Sequence, residues 1–97
     1  MAALKIFHAD NEVLAILNGT IIYDKKTEQN PTLNGQVPLD PFLIAGINVL
    51  MVVGINWGGP ATFSGAVVVG NVETPFGFTA ASTPNGKAFA QTFVIPK

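Results

Sequence analysis

The sequence predicts an all-β protein, and three observations support that prediction. Short runs of β-branched and aromatic residues recur along the chain, separated by turn residues. Asn18-Gly19 lies between two of these runs and is the strongest short-range signal of a β-hairpin. No segment shows a clear helical period, and the longest apolar run, Phe42 to Ile55, is interrupted by Asn48 and two glycines. A membrane-spanning helix needs about 20 mostly apolar residues, so no membrane segment is expected.

The strand signals divide the chain into about eight segments. The predicted strands are Leu4–His8, Glu12–Leu17, Thr20–Asp24, Gln36–Leu39, Ile47–Asn56, Thr62–Val72, Phe76–Ala81 and Lys87–Ile95. The predicted connections are a polar loop at Lys25–Gly35, a corner at Pro41–Gly46, an aromatic loop at Trp57–Ala61, and turns at Glu73–Pro75 and Thr83–Gly86. This pattern predicts one domain over residues 1–97, an antiparallel two-sheet β-sandwich of jelly-roll type.

Prolines and glycines justify several of these assignments. Pro38 favours an edge position for its strand, because proline cannot donate to the hydrogen-bond ladder. Pro41 fixes φ and Gly46 accepts a positive φ, so the segment between them reads as a chain reversal. Asn48 follows this corner and is expected to cap backbone groups there. Pro96 ends the last strand.

The composition indicates subunit association. Hydrophobic residues make up 48% of the chain and charged residues 11%, against about 25% charged residues in typical domains. All basic residues are lysines and the net charge is −1, so nucleic-acid binding is not expected. The chain has no cysteine, which excludes disulfides and thiolate chemistry. Met1–Lys5 lacks the pattern of a secretory signal, so no export signal is expected.

Two strands are apolar on both faces. In Ile47–Ile55, both alternating sets are mostly apolar, and Val13–Leu17 shows the same property. Only one face of a sandwich strand meets the core, so a second subunit is expected to cover the other. The expected partner surfaces are the outer faces of Ile47–Ile55 and Phe89–Ile95. The residues assigned to this oligomer interface are Leu50, Val52, Phe89 and Phe93. The alternative is that small apolar residues are scattered over an ordinary surface.

Several segments resemble a known family. They are Ala9-Asp10-Asn11-Glu12, Leu17-Asn18-Gly19, Asp40-Pro41-Phe42-Leu43, Ala45-Gly46-Ile47-Asn48-Val49-Leu50 and Asn56-Trp57-Gly58-Gly59-Pro60-Ala61. Their order resembles the galactose-binding-like jelly-roll modules that bacteria append to glycoside hydrolases. β-Sandwich modules of similar appearance occur in phage structural proteins. The closest likeness is Leu43–Leu50, which fits the corner Leu-x-x-Gly-x-Asn-x-Leu, and the resemblance extends from about Phe7 to Val69.

The resemblance implies a sugar site and a calcium site. Trp57 would stack on a sugar face, while Asn56, Tyr23 and Gln36 would lie nearby. An alternative is that Trp57 folds over its loop and closes the end of the sandwich. Some modules of this family hold a structural calcium, and the weak candidates for it are Asp10-Asn11-Glu12. A turn that begins a strand explains the same residues, so no metal is assigned.

The sequence does not predict an enzyme. His8 is the only histidine, the serines are Ser64 and Ser82, and no Gly-x-Ser-x-Gly motif is present. Most of the carboxylates fall in predicted turns, and no phosphate-binding loop is found. No cofactor is expected.

The favoured interpretation is a structural protein that binds copies of itself within a larger protein assembly, for example a virion decoration protein or tail component. The alternative is a free-standing carbohydrate-binding module that uses the Trp57 loop.

Overall fold

The chain forms two four-stranded antiparallel sheets. The computed structural model describes residues 1–27, 32–83 and 85–97, with the backbone alone at 32–34 and 83. The strands are β1 (Ala2–His8), β2 (Glu12–Leu17), β3 (Thr20–Lys26), β4 (Thr32–Pro38), β5 (Ile47–Asn56), β6 (Gly59–Val69), β7 (Val72–Thr83) and β8 (Gly86–Pro96). A single 3₁₀ turn, Asp40–Phe42, precedes β5, and the described residues contain no α-helix. They therefore contain no helix long and apolar enough to cross a membrane.

The strand order is β4-β1-β6-β7 in one sheet, sheet A, and β3-β2-β5-β8 in the other, sheet B. The predicted two-sheet antiparallel sandwich of about eight strands is confirmed. The pairing of β1 with β6 and of β2 with β5 is nested, which is compatible with a jelly roll. The predicted edge position of the Pro38 strand is also confirmed, since β4 ends sheet A.

The hairpin and the corner form as the sequence predicts. Asn18 and Gly19 both have positive φ, of 51° and 84°, as a two-residue type I′ turn requires. At the corner, Gly46 has a φ of 99°. The buried Asn48 side chain accepts a hydrogen bond from Ile44 N at 2.9 Å and donates to Ile44 O at 2.9 Å and Ile95 O at 3.1 Å. Asn48 therefore fixes the corner to the last strand.

A layer of phenylalanine rings fills the core on the β7–β8 side. Phe89 stacks on Phe63 with centroids 6.0 Å apart, and on Phe76 at 5.9 Å. Gly54 makes this packing possible, because a Cβ atom there would lie 2.6 Å from the Phe63 ring. The aliphatic part of the core, around Leu4, Ile6, Leu17 and Leu39, continues towards β4.

Three predicted connections have wrong limits. The polar loop at Lys25–Gly35 is shorter than predicted, because β3 runs to Lys26 and β4 begins at Thr32; residues 28–31 lie outside the described residues. The aromatic loop consists of Trp57 and Gly58 alone. The chain turns at 70–71, and Pro75 lies within β7, an edge strand that tolerates proline. At the predicted Thr83–Gly86 turn, Gly86 has a φ of 119° and Pro84 lies outside the described residues.

Candidate functional site: the outer face of sheet B

The outer face of sheet B carries a group of exposed apolar side chains. Residues that pair directly across antiparallel strands project to the same side of the sheet. Met51 pairs with Ile16 on β2, and Val49 pairs with Val94 on β8. We call this surface the apolar face and define it by Leu14, Ile16, Ile47, Val49, Met51 and Val94. It extends across three neighbouring strands.

Much of the apolar face is exposed. Ile47 and Val94 are each 63% exposed, Val49 is 43% exposed and Met51 is 38% exposed. Valine, isoleucine and methionine are usually buried, and a contiguous group of exposed apolar side chains is typical of an interaction surface.

The structure corrects which residues of β5 and β8 face outwards. Leu50 and Val52, which were assigned to the interface, are fully buried between the two sheets. Phe89 and Phe93 are half-buried and belong to the phenylalanine layer. The physical reason is the direction of the β5 side chains: Gly54 faces Phe63 inside the sandwich, so Leu50 and Val52, which have the same parity, also face inwards.

Charged residues lie at only one end of this face within the four strands of sheet B. Lys87 pairs with Ile55, Ile55 with Glu12, and Glu12 with Lys26, which places them in one row across the sheet. Asp24 lies two residues before Lys26 on β3 and pairs with Leu14. A hydrogen bond with the Asp24 carboxyl, together with burial, raises the pKa of Glu12 above its ordinary value of 4.5.

The Trp57 loop forms a second candidate surface at the end of the sandwich. Asn11 Oδ1 accepts a hydrogen bond of 2.8 Å from the Trp57 backbone N–H. Asn56 is buried and donates to Gly59 O at 2.9 Å, so its amide holds the loop. The Trp57 side chain is 44% exposed. The loop is thus fixed at both sides while the Trp57 side chain remains accessible.

The four residues of the expected sugar site are not brought together. Tyr23 lies on β3 of sheet B and packs against the core, and burial raises the pKa of its hydroxyl. Gln36 lies on β4, in the other sheet. It lines an open depression of about 250 Å³ together with Lys5, Phe7 and Gly35. Sequence reasoning missed Lys5 and Phe7, although their alternation with the buried Leu4 and Ile6 could have identified them as outward-facing.

The structure assigns Asn11 a structural contact. Its side-chain oxygen binds Trp57 N, and its carbonyl oxygen accepts a 3.1 Å hydrogen bond from Thr27 Oγ1. Among the described residues, no group of three or more histidine, aspartate or glutamate side chains is arranged to hold a metal ion. The calcium candidates Asp10, Asn11 and Glu12 include an asparagine and contain only two such side chains, so they stay a prediction.

His8 and Ser64 form a pair across β1 and β6. Their side chains are joined by a 2.8 Å hydrogen bond between His8 Nδ1 and Ser64 Oγ. Nucleophilic catalysis also needs an acidic group that orients the histidine and donors for an oxyanion. No hydrogen bond joins His8 to a carboxylate within the described part of the chain. The contact is accounted for as a cross-strand hydrogen bond.

Comparison of the chain with protein-family models, with curated proteins and with solved structures gave no match. The fold and its surfaces therefore carry the functional argument alone.

Proposed function

We propose that this protein is a non-enzymatic structural protein that self-associates by packing its apolar face against the apolar face of a second copy. The observation that supports this is the exposure of Ile47, Val49, Met51 and Val94 on neighbouring strands of one sheet. Contiguous apolar surfaces of this kind mark interaction sites. The low charge of the chain, with 11% charged residues, supports the same function.

The area of sheet B supports a second copy as the occupant. The three strands that carry the apolar face lie about 4.8 Å apart and rise about 3.3 Å per residue, which over the length of β5 gives a planar footprint of roughly 480 Å². Projecting side chains make the accessible area larger than this planar footprint, so the face approaches the area of about 600–1,000 Å² that specific interfaces bury on each partner. Two such faces would pack about 10 Å apart with their strands nearly aligned.

Charge complementarity also supports a second copy. A two-fold axis that runs along β5, between the faces, places β2 of one copy over β8 of the other. Because Glu12, Ile55 and Lys87 lie in one row, Glu12 of each copy then lies over Lys87 of the other. The interface is isologous, so this attraction occurs twice. An axis across the strands would instead place these charges over the apolar end of the face.

Such a protein would serve in a larger assembly, and a virion decoration protein or tail component is the setting we favour. A galactose-binding-like jelly-roll module is our interpretation of the fold at this finer level.

The test is the mass in solution of the full chain and of Met51→Lys. Met51 is partly exposed, so a lysine there can reach water in the free chain, but it would bury a charge in the contact. Light scattering should give a wild-type mass that is a multiple of 10.2 kDa, and a lower mass for M51K. Thr79→Lys, on the exposed side of β7 in sheet A, is the matched control and should leave the mass unchanged. A wild-type monomer at every concentration, or no effect of M51K, would contradict the proposal.

A second candidate function is carbohydrate binding at Trp57, which the exposure of its side chain on a fixed loop favours. A monomeric chain whose tryptophan fluorescence changes when glycans are added would support this candidate over self-association. Trp57→Ala should then abolish the binding that calorimetry measures, whereas it should not change the mass of an assembly formed through sheet B.

A further inference from the structure

The free edge of β8 is unlike the other three sheet edges. β3 carries Asp24, Lys25 and Lys26, while β4 and β7 contain Pro38 and Pro75. Charges and prolines of this kind prevent edge strands from pairing with other chains. Between Phe89 and Ile95, β8 has no charge, no proline and no bulge. Within the part of the chain that the structure describes, no strand of sheet B pairs with its outer side.

The backbone groups that β8 presents can be identified. Gly46 and Lys97 exchange hydrogen bonds in both directions, of 2.9 and 2.8 Å. Backbone groups of alternate residues point to the same side of a strand, so those of Gln91, Phe93 and Ile95 also point towards β5. The N–H and C=O groups of Ala90, Thr92 and Val94 therefore point away from the sheet. The contacts of Val49 agree with this assignment. The Val49 backbone carbonyl accepts a hydrogen bond from the N–H of Asn18, in the turn that follows β2, so the Val49 backbone groups point away from Val94, its cross-strand partner on β8.

The sequence of this edge is nearly symmetric. Residues 89–93 read Phe-Ala-Gln-Thr-Phe, which places similar residue types in the same order in both directions. We infer that β8 pairs antiparallel with β8 of a second copy, about a two-fold axis at Gln91, and joins two copies of sheet B into one eight-stranded sheet. The contact uses a surface different from the apolar face and does not depend on it.

The geometry of this register is self-consistent. Ala90 of each copy lies opposite Thr92 of the other, so their outward N–H and C=O groups form hydrogen-bonded pairs. Gln91 lies opposite Gln91 of the second copy, and Phe89 lies opposite Phe93, in the closer pairs without hydrogen bonds. A shift of the register by two residues in either direction would place Gln91 against a phenylalanine. Lys87 is the only charged residue of β8. In this register it lies opposite Ile95 of the second copy and far from the second copy's Lys87, so the two positive charges do not meet.

Cysteine cross-linking tests the register directly, because the natural chain has no cysteine. Residues directly opposite in a pair without hydrogen bonds have Cα atoms about 4.5 Å apart, within the range of about 4.4–6.8 Å that a disulfide needs. Gln91→Cys should thus give a disulfide-linked dimer under mild oxidation. Thr92→Cys is the matched control. In this register residue 92 lies opposite residue 90 of the second copy, so the two residues at position 92 are diagonal neighbours about 7–8 Å apart. Both are made in the M51K background, so that the contact through the apolar face is weakened.

We expect the Q91C chain to cross-link at least about tenfold faster than the T92C chain on non-reducing gels. Equal cross-linking at the two positions, or none at position 91, would overturn the inference. Thr92→Pro provides a second test, because the N–H it removes points away from β5. T92P should remain folded and lower the mass relative to Thr92→Val, which retains the N–H. An unchanged mass for T92P would also overturn the edge contact, whereas an unchanged mass for M51K would overturn only the contact through the apolar face.

Discussion

At the scale of single residues, the core depends on glycines that make room for phenylalanine rings. A Cβ atom at Gly54 would lie 2.6–2.8 Å from three atoms of the Phe63 ring. A Cβ atom at Gly65 would lie 2.2 Å from Lys5 O and 2.5 Å from the Phe76 ring. Both glycines lie within strands, where glycine is otherwise unfavourable. Their presence is explained by the rings that cover them.

Gly54→Ala should therefore destabilise the protein. The new methyl group must displace Phe63, and overpacking of this kind costs about 1–3 kcal/mol. Gly77→Ala is the matched control: it also lies within a strand, but its Cβ atom would make only an ordinary contact, 3.5 Å from Phe63 O. Urea unfolding should show a lower midpoint for G54A and little change, or a small gain, for G77A. Similar losses for both variants would show that loss of strand glycine, and not the Phe63 contact, controls stability.

Glu12 makes the folding stability depend on pH. Its pKa is raised in the folded chain, chiefly by the hydrogen bond to Asp24. A carboxyl with a raised pKa binds its proton more tightly in the folded state, so its stabilising effect is complete below the ordinary value of 4.5. This stabilisation is lost as the pH rises through the folded pKa.

Glu12→Gln should remove this dependence, because glutamine keeps the shape of the side chain and does not titrate. The free energy of unfolding, measured by urea at dilutions where self-association is absent, should decrease less from pH 4 to pH 7 in E12Q than in the wild type. A steeper decrease in E12Q would mean that Glu12 is stabilised as the charged form, opposite to the sign argued here.

At the scale of strands, the sequence predicted that β5 is a strand but could not predict which of its two sets of alternating side chains faces the core. One set of its side chains contains Ile47, Val49 and Met51, and the other contains Leu50 and Val52, so both fit a core. The orientation is set by contacts distant in sequence, namely Phe63 against Gly54 and the amide of Asn48 at the corner. The interface residues were therefore taken from the wrong side of β5, although the strand itself was predicted correctly.

Local turn chemistry was predictable where it did not depend on tertiary context. Asn18-Gly19 and the Gly46 corner need positive φ, and the sequence supplies residues that adopt it. The turn predicted at Pro75 is wrong, because an edge strand tolerates a proline that a central strand would exclude. Whether β7 lies at an edge depends on the order of the strands in sheet A, which no local pattern contains. The scattered positions of Tyr23 and Gln36 have the same origin, since β3 and β4 belong to different sheets.

At the scale of the whole molecule, the two outer faces of the sandwich differ. On sheet A, Lys5 and Glu73 form a 3.2 Å ion pair across β6, and Thr62, Ser64 and Thr79 lie on the same side. On sheet B, the corresponding surface is the apolar face, with charges in one row near its end. This difference between the two faces is the feature on which the proposed self-association through sheet B rests.

The two-fold arrangement proposed for the apolar faces makes a charge-swap prediction. In that arrangement, Lys87 of one copy lies over Glu12 of the other, and the pair occurs twice. Glu12→Lys should therefore place two like charges together at both sites, and so should Lys87→Glu. Ion pairs near a surface contribute about 0.2–1 kcal/mol each, so the loss of both pairs should raise the dissociation constant about two- to thirtyfold. The double variant E12K/K87E exchanges the charges and should restore association.

The measurement is sedimentation equilibrium of all four chains in the T92P background, which is designed to block the proposed β8 edge contact. Lys5→Glu, on sheet A, is the control for the change in net charge and should leave the dissociation constant near that of the unreversed chain. In 1 M salt the Debye length falls to about 3 Å, so the differences between the variants should shrink. If the double variant associates as weakly as the single ones, Glu12 and Lys87 do not face each other, and the axis along β5 is excluded. The axis along β5 requires that the double variant associates more tightly than either single variant and that this difference disappears in high salt. Only charges that face each other can compensate each other's reversal.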